Sequence, residues 1–462
     1  MKKNKLTMGV VAGLAGVAGM ANAAQHINPE GTGEVLIYPY YTVKNGLDTN
    51  YSVVNTTEDT KAIKVRFLEG ENTIEVLDFN VYLSAYDVWT GVLTAVVDGE
   101  GNVVNGEHRT ADESCAPYLP KAGQEFLPFA MLTTDPLAVA EGNVGMNRAT
   151  EGHFEILEMA TYPDTTDTYA YSDHGGSGVP SDCDSIESDW DDGVYSEVGD
   201  LTEGGLFGSA SMVNVNEGVA MTYDAIAIDD FWVGGQGSHT RPGNLAPSIA
   251  SGDTNILIFD EGQIAALTYP SGAEAISGLF QRAEIYNEYA LDSFVAGKTE
   301  WVITFPTKNP HVNGAIVQPP FINPWTGTDS CHEFTITLWD REEQIEVPQG
   351  GTISPEPPAG TNPDFCFEAN VLRFLRPGAD TTVKSVLGSD NLTTVRTPSV
   401  AHATENGWAR VNFATYVDAN GYLGLPVAGF AAQQFTNAGA GEGLLAQYAG
   451  LFVHKGMIQS AE

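Results

Sequence analysis

The chain has 462 residues, with 60 Asp and Glu against 21 Lys and Arg, and its formal net charge is −39 at pH 7. This excess of negative charge excludes binding to nucleic acid through the phosphate backbone, which requires clustered Lys and Arg. Aromatic residues make up 10% of the chain, as in folded proteins, so a wholly disordered chain is also excluded. The length predicts two or three domains.

The N-terminus has the three parts of a secretory signal peptide. Lys2, Lys3 and Lys5 form a basic start, residues 8–20 form an apolar run, and residues 21–23 (Ala-Asn-Ala) match a cleavage site. The run is too short for a membrane-spanning helix, which needs about 20 apolar residues; a short membrane anchor is the alternative. We therefore predict that residues 1–23 direct export to the cell surface, the extracellular space or the periplasm. No later segment predicts a transmembrane helix.

Alternation of apolar and polar residues, the pattern of half-buried strands, recurs along the mature chain. In residues 61–70, one face carries Ile63, Val65 and Phe67, and the other carries Lys64 and Arg66. The same period recurs in four further segments, at residues 73–83, 301–305, 334–338 and 410–413. The spacing of apolar residues predicts a short helix in two segments only, residues 262–267 and 443–451. Strands therefore predominate over helices.

Turn residues support an antiparallel arrangement. Asn45-Gly46, Asp98-Gly99 and Asn420-Gly421 lie between strand-like runs, and such pairs suit the positive φ angles of type I′ hairpins. We predict an all-β protein built from antiparallel β-sandwich domains, with long acidic and Pro/Gly-rich loops.

Two domains follow from the composition, an N-terminal β-sandwich at 24–240 and a C-terminal β-sandwich at 241–462. The segment 234–248 is rich in Gly, Ser, Pro and Asn, which predicts a linker or a long connection. The segment 348–362 is rich in Pro and Gly, which predicts an extended surface loop.

Four cysteines in an exported chain predict disulfides. Their spacing favours the pairs Cys115–Cys183 and Cys331–Cys366, one in each half of the chain. A zinc site is the alternative, but the chain has no CxxC motif and a single adjacent Cys-His pair, at Cys331 and His332.

An acidic segment at 163–200 lies in a longer stretch, from Arg148 to Arg241, that has no Lys or Arg between its ends. Clustered carboxylates on a Gly/Ser-rich backbone can supply the six to eight oxygens that calcium prefers. The candidate ligands are Asp182, Asp184, Glu187, Asp189, Asp191 and Asp192. The segment is not an EF-hand, because Ser188 and Trp190 stand where that motif has ligands. The alternative is a solvated acidic loop without metal.

Catalytic motifs are incomplete, so no catalytic residue is predicted. Gly175-Gly176-Ser177-Gly178-Val179 lacks the last glycine of a G-x-S-x-G nucleophile turn, and His332-Glu333 lacks the second histidine of H-E-x-x-H. A glycosidase needs two carboxylates placed by the fold, which the sequence cannot identify among so many acids. Aromatic residues could stack on sugar rings, although aromatics on alternating strands usually fill a core. The candidates are Tyr38, Tyr40 and Tyr41 in one apolar strand and six tryptophans spread along the chain, Trp89, Trp232, Trp301, Trp325, Trp339 and Trp408.

Several segments resemble an uncharacterised family of exported proteobacterial all-β proteins. The segments are residues 36–43 (Leu-Ile-Tyr-Pro-Tyr-Tyr-Thr-Val), 53–57, 64–70, 83–91, 300–308 and 339–343. The resemblance spans most of the mature chain and implies no activity and no catalytic residues.

The sequence thus predicts an exported, non-catalytic β protein at the cell surface or outside the cell, with a structural or adhesive role. Its partner would be a cell-surface protein or a polysaccharide. The alternative is a carbohydrate-active protein, either a sugar-binding module or a hydrolase with a carboxylate pair. Calcium is the one cofactor that the sequence suggests.

Overall fold

The computed structural model of the chain describes residues 24–132, 140–176, 178–191, 193–260, 262–314, 316–341, 345–346, 353–354, 362–376, 379, 385–397, 405–441 and 444–461. The predicted signal peptide at 1–23 lies outside these residues, as does most of the predicted surface loop at 348–362.

Two six-stranded sheets are built from the first half of the chain. Their strands are β1 (His26–Ile27), β2 (Val35–Thr42), β3 (Asp48–Asn55), β4 (Thr60–Glu69), β5 (Glu75–Leu83), β6 (Val88–Val97), β7 (Val103–Arg109), β8 (Gln124–Glu125), β9 (Glu151–Tyr162), β10 (Leu206–Asn214), β11 (Val219–Asp224) and β12 (Ile226–Asp229). Sheet I has the order β1-β12-β2-β9-β4-β5, and sheet II has the order β11-β10-β3-β6-β7-β8.

The second half of the chain provides two more large sheets. Its strands are β13 (Asn255–Asp260), β14 (Gln263–Thr268), β15 (Gln281–Arg282), β16 (Glu284–Ala290), β17 (Lys298–Thr304), β18 (His332–Glu333), β19 (Thr335–Asp340), β20 (Ile345–Glu346), β21 (Ile353–Ser354), β22 (Asp364–Phe365), β23 (Ala369–Leu375), β24 (Leu392–Arg396), β25 (Asn406–Asn412), β26 (Leu425–Pro426), β27 (Phe430–Gly441), β28 (Leu444–Val453) and β29 (Lys455–Met457). Sheet III has the order β20-β19-β25-β16-β29, and sheet IV has the order β21-β24-β23-β17-β27-β28. The pairs β13-β14, β15-β26 and β18-β22 form small separate sheets.

Helices are short and lie between strands. They are α1 (Asp167–Ser172), α2 (Cys183–Ser188), α3 (Gly272–Phe280) and α4 (Lys308–Val312), with 3-10 turns at Phe129–Leu132, Met146–Thr150, Val233–Gly235, Ile249–Ser251 and Ser293–Val295. Among the described residues, none of these helices has the length and apolar character that a membrane crossing requires.

The all-β prediction is confirmed, since strands make up 45% of the structure and helices 11%. The sheets are antiparallel apart from the parallel pairing of β23 with β24. The four large sheets have a propeller-like arrangement of four blades and do not clearly separate into the two predicted sandwiches. The physical reason is a shared core: Tyr38 and Phe67 of the first half belong to the same buried cluster as Val302, Val371 and Phe430 of the second.

Most of the predicted strands and turns are present. The alternating segments correspond to β4, β5, β17, β19 and β25. Asn45 and Gly46 have φ angles of 56° and 72° between β2 and β3, as the type I′ prediction requires. The predicted hairpin at Asp98-Gly99 joins β6 to β7, but its turn is not type I′, because neither Asp98 nor Gly99 has a positive φ and Gly101 takes that conformation instead. At Asn420-Gly421 the glycine alone has a positive φ, so the type I′ prediction is wrong there too.

The two helical predictions are wrong. Residues 263–267 lie in β14, and residues 444–451 lie in β28, because each segment pairs with the preceding strand and tertiary pairing overrides a short helical period. Residue 443 lies outside the described residues. The helix α3 was missed, although its start carries a capping signal. The Ser271 hydroxyl accepts the Glu274 N–H at 3.3 Å and donates to the Glu274 carboxylate at 2.8 Å.

Sheet I is covered on both faces, so the prediction that residues 61–70 form a half-buried strand is wrong. All ten residues of β4 are buried, including Lys64 and Arg66. One face of the sheet contributes to the shared core with sheet II. The other face packs against the acidic segment and the region around β13, β14 and α3.

The predicted linker at 234–248 is a connection that packs along this second face of sheet I. The Lys64 ammonium donates to the Asn244 carbonyl at 2.6 Å, and the Asn80 amide donates to the Thr240 carbonyl at 2.8 Å. Residues 249–280 continue onto the same face, where Ile256 and Ile276 join the buried cluster of Val35. The predicted domain boundary after residue 240 therefore lies within a stretch of chain that packs on sheet I, and the division into two domains stays a prediction.

Candidate functional site

Both predicted disulfides are present. Cys115 pairs with Cys183 across a Cα–Cα distance of 5.2 Å, and Cys331 pairs with Cys366. The sulfur atoms of the second pair lie close to the Asp364 carboxylate. Because the two sulfur atoms are bonded to each other, they provide no thiolate for zinc, and the alternative zinc site is excluded at this place.

Residues 163–200, which we name the acidic insert, fold as a packed element on sheet I. The Trp190 indole donates to the Tyr82 hydroxyl at 3.0 Å, and Tyr195 stacks on Tyr82. The two ring nitrogens of His239 lie 3.0 Å from the Tyr82 hydroxyl and 2.8 Å from the Tyr162 hydroxyl. Burial lowers the pKa of His239 to about 3, so the ring is neutral in this aromatic cluster. The insert is therefore held by a small core as well as by its disulfide.

Several carboxylates of the insert hold its own backbone. Asp182 accepts the Ser185 N–H at 3.1 Å and so caps α2, while Glu187 accepts the Tyr118 N–H at 3.1 Å. Glu197 accepts two N–H groups at the start of α1. These acids satisfy helix ends and a neighbouring loop, which is a structural use of charge.

The predicted calcium ligands are not gathered at one point. Asp184 and Asp191 are exposed and Asp189 is half-buried, whereas Asp192 lies outside the described residues. Within the part of the chain that the structure describes, no three acidic side chains of the insert bring their oxygens within ligand distance of one another. Calcium binding by the insert stays a prediction, without an assembled ligand set among these residues.

Buried ion pairs lie between sheet I and its cover. The Lys61 ammonium donates to the Glu158 carboxylate at 2.8 Å, and both side chains are fully buried. Lys64 lies 3.3 Å from Asp78, and Arg66 pairs with the buried Glu155. A buried charge is costly unless it is paired, so these pairs require the cover to be in place.

A second polar cluster lies where the two halves meet. The Arg148 guanidinium donates from two nitrogens to Glu69, each at 2.7 Å, and from a third to Glu141 at 2.8 Å. Nearby, burial raises the pKa of Glu368 to about 8 and lowers the pKa of Lys308 to about 8. All of these groups are enclosed, so they do not form an open reaction site.

An aromatic pair lies on the outer face of sheet III, with one ring half-buried and the other exposed. Trp339 of β19 is directly opposite Trp408 of β25, and the two rings stack with centroids 4.0 Å apart and planes 4° apart. The Arg410 guanidinium lies 5.2 Å from the centroid of the Trp339 ring. Ala409 and Val411 alternate with these residues and point into the core, which places Trp408 and Arg410 together on the outer face.

Beside this pair is an open groove of about 650 Å³. We name it the aromatic groove; it is lined by Tyr286, Asn287, Glu288, Trp408, Leu451, Phe452, Val453 and Lys455. Strands of sheet III form one side and β28 of sheet IV forms the other. The Asn287 amide donates to the Phe452 carbonyl at 2.6 Å, which ties the two sides together. Its volume lies in the range of about 300–1,000 Å³ that is usual for small-ligand sites, although the groove is open to solvent.

Most other tryptophans are buried, and Trp89 and Trp301 stand on strands, as predicted for aromatics on alternating strands. Trp89, Trp190, Trp232, Trp301 and Trp325 are all buried. The candidate tyrosines Tyr38, Tyr40 and Tyr41 are buried as well. Trp408 differs, because 39% of its surface is exposed.

The residues that line the groove offer no carboxylate pair. Among these described residues, Glu288 is the single carboxylate, so the paired acids of a glycosidase are not assembled there. A smaller depression of about 370 Å³ on sheet II is lined mainly by hydroxyl-bearing and small side chains, with Arg109, and no carboxylate is among its lining residues.

Trp339 and Trp408 were two of six candidate tryptophans in the sequence, which predicted neither their pairing nor their place on an outer face. The alternation in β25 already places Trp408 on the same face as Arg410, opposite Val411, and could have marked it as outward-facing. Tyr286 and Lys455 gave no such signal, because their place beside Trp408 depends on the pairing of distant strands.

Comparison with known proteins adds no relative. No family model matches the chain, and no match was found among curated proteins or solved structures. The resemblance to a family of exported proteobacterial proteins is therefore a prediction that rests on the sequence segments given above.

Proposed function

We propose that the protein is exported and non-catalytic, and that it has a structural or adhesive role at the cell surface or outside the cell. The observation that carries the proposal is the aromatic groove, an open binding surface whose lining includes Trp408 but a single carboxylate. Such a surface can bind a partner, and it lacks the second acid that hydrolysis of a glycosidic bond requires.

The two disulfides support the location. Disulfides persist in oxidising compartments outside the cytoplasm, and Cys115–Cys183 ties the acidic insert to the edge of the first half. The negative surface of the chain also favours a role in which the protein stays dispersed and does not bind other polyanions.

We also propose that the four large sheets act as two sandwich-like pairs, I with II and III with IV. Phe67 of sheet I and Trp89 of sheet II share one cluster, and Trp301 of sheet IV and Val411 of sheet III share another. Separate expression of residues 24–280 and 281–462 tests this: each piece is expected to unfold cooperatively if the pairs are independent. Failure of both pieces to fold would favour a single four-sheet body.

The function is tested with purified mature protein on the cells that produce it. A strain lacking the protein is expected to lose surface adhesion or envelope integrity, and added purified protein is expected to rebind the cell surface and restore it. Incubation with cell-wall and capsular polysaccharides is expected to release no new reducing ends. Steady release of reducing ends would contradict the non-catalytic assignment and favour the hydrolase alternative.

A further inference from the structure

We propose that the aromatic groove binds a neutral polysaccharide, with one sugar ring lying against Trp408. This inference rests on the proposed adhesive function and names the class of partner for it. It is drawn from the stacked tryptophan pair, the polar groups beside it and the local balance of charge.

The ring of Trp408 is a pre-positioned surface. Trp339 covers one of its faces at a stacking distance of 4.0 Å, and of the two tryptophans only Trp408 lines the groove. Its remaining exposed area is therefore directed to the groove. Aromatic side chains provide a large flat contact at low cost in conformational entropy, particularly when a neighbour already restricts their rotation.

Neighbouring side chains hold the pair in place. Arg410 lies over Trp339 and forms an ion pair with Glu284 at 3.6 Å. Trp339, Trp408 and Arg410 stand on adjacent strands of one sheet, so their separation is set by the strand spacing. The surface thus has little freedom to lose on binding, which favours affinity for a rigid ring.

The polar lining suits a ligand with many hydroxyl groups. Glu288 and Lys455 are both exposed in the groove and provide an acceptor and a donor. A sugar ring has an apolar face for the indole and hydroxyl groups around its edge for these side chains. A purely apolar ligand would leave both polar groups without such partners.

Charge indicates that the ligand is neutral. In a chain of net charge −39, the lining of the groove is balanced, with Glu288 against Lys455. A polyanion would meet the negative field of the rest of the protein, and a polycation would find no net charge in the groove, where Lys455 balances Glu288. A neutral glycan has no such preference and is selected by contact with the groove.

The test is native electrophoresis of the full mature protein, with intact disulfides, through gels that contain one neutral polysaccharide each. The probes are hydroxyethyl cellulose, laminarin, dextran and galactomannan. We expect retardation in at least one gel. Trp408→Ala is expected to weaken that binding about tenfold or more, by analogy with nucleic-acid bases stacked on aromatic side chains, where loss of the aromatic ring costs about 1–3 kcal/mol per base. Trp408→Phe, which keeps an aromatic ring, is expected to retain part of it.

Tyr448→Ala is the matched control, because Tyr448 is an exposed aromatic on β28 that does not line the groove. This variant is expected to migrate like the wild type in every gel, and thermal melts of all variants check that they are folded.

The inference is overturned if no probe retards the wild type, or if Trp408→Ala is retarded as strongly as the wild type. It is also overturned if sedimentation shows a dimer that Trp408→Ala dissociates, since a second copy would then occupy the groove. None of these three outcomes decides the proposed function, which is tested separately by surface adhesion and by the absence of hydrolysis.

Discussion

Replacement of Lys61 by Met is expected to destabilise the protein strongly. The Lys61 ammonium is fully buried, 2.8 Å from Glu158, and a buried pair that loses one partner leaves an uncompensated charge. Such losses are about 3–5 kcal/mol. Met has a similar length and flexibility, so the change removes the charge without opening a large cavity.

The remaining carboxylate would keep part of its environment. Glu158 also accepts the Thr161 hydroxyl at 2.7 Å and the Gly204 N–H at 2.9 Å. Burial already raises the pKa of Glu158, and Lys61 opposes that rise. Without Lys61 the pKa rises further, so the loss of stability in Lys61→Met is expected to be smaller at acidic pH, where Glu158 can be protonated.

A double-mutant cycle in urea, followed by tryptophan fluorescence, measures the coupling. Glu158→Gln alone leaves a buried ammonium and is expected to be destabilised to a similar degree. The double variant Lys61→Met/Glu158→Gln has no buried charge, and we expect it to recover most of the stability, to within about 2 kcal/mol of the wild type. Single losses below about 1 kcal/mol, or an additive double variant, would refute the claim that the acidic insert and the 234–248 connection seal sheet I from water.

Three further predictions follow from the same cover of sheet I. Burial raises the pKa of Glu34 to about 7, so the folded protein holds this proton more tightly than the unfolded chain and its free energy of unfolding falls as the pH rises from about 4 to 7. Glu34→Gln has no such proton, and urea titrations are expected to show its stability rising by about 3 kcal/mol relative to the wild type over this range. Replacement of Cys115 and Cys183 by Ser is expected to destabilise the protein by about 2–5 kcal/mol and to make the insert the first site of limited proteolysis, and an unchanged cleavage pattern would contradict the tethering role. A thermal melt with calcium or EDTA tests the calcium prediction: a higher midpoint with calcium would support a bound ion, and equal midpoints would remove calcium from the account.

Local patterns predicted the strands and turns well. The alternation in 61–70 and 73–83 reflects the two-residue period of a strand, and the Asn45-Gly46 pair reflects the φ angles of its turn. The disulfide pairs could be predicted because each joins two cysteines that follow one another in the order of the four cysteines along the chain.

Features set by distant contacts could not be predicted in the same way. Lys64 and Arg66 have the pattern of a solvent-facing row, yet both are buried, and the connection at 234–248, far along the chain, contacts Lys64. The stacking of Trp339 on Trp408 depends on the register of β19 against β25, which no local period encodes. The shared core between the halves likewise depends on how sheets I, II and IV meet.

The central claim, that this is a protein of an oxidising compartment outside the cytoplasm, is tested most directly by thiol labelling of fractionated cells. The account predicts that the mature chain is recovered from the envelope or the medium. In denaturant without reductant, none of Cys115, Cys183, Cys331 and Cys366 should react with a maleimide, and all four should react after reduction. Recovery of the chain in the cytoplasm with reactive thiols would contradict the account.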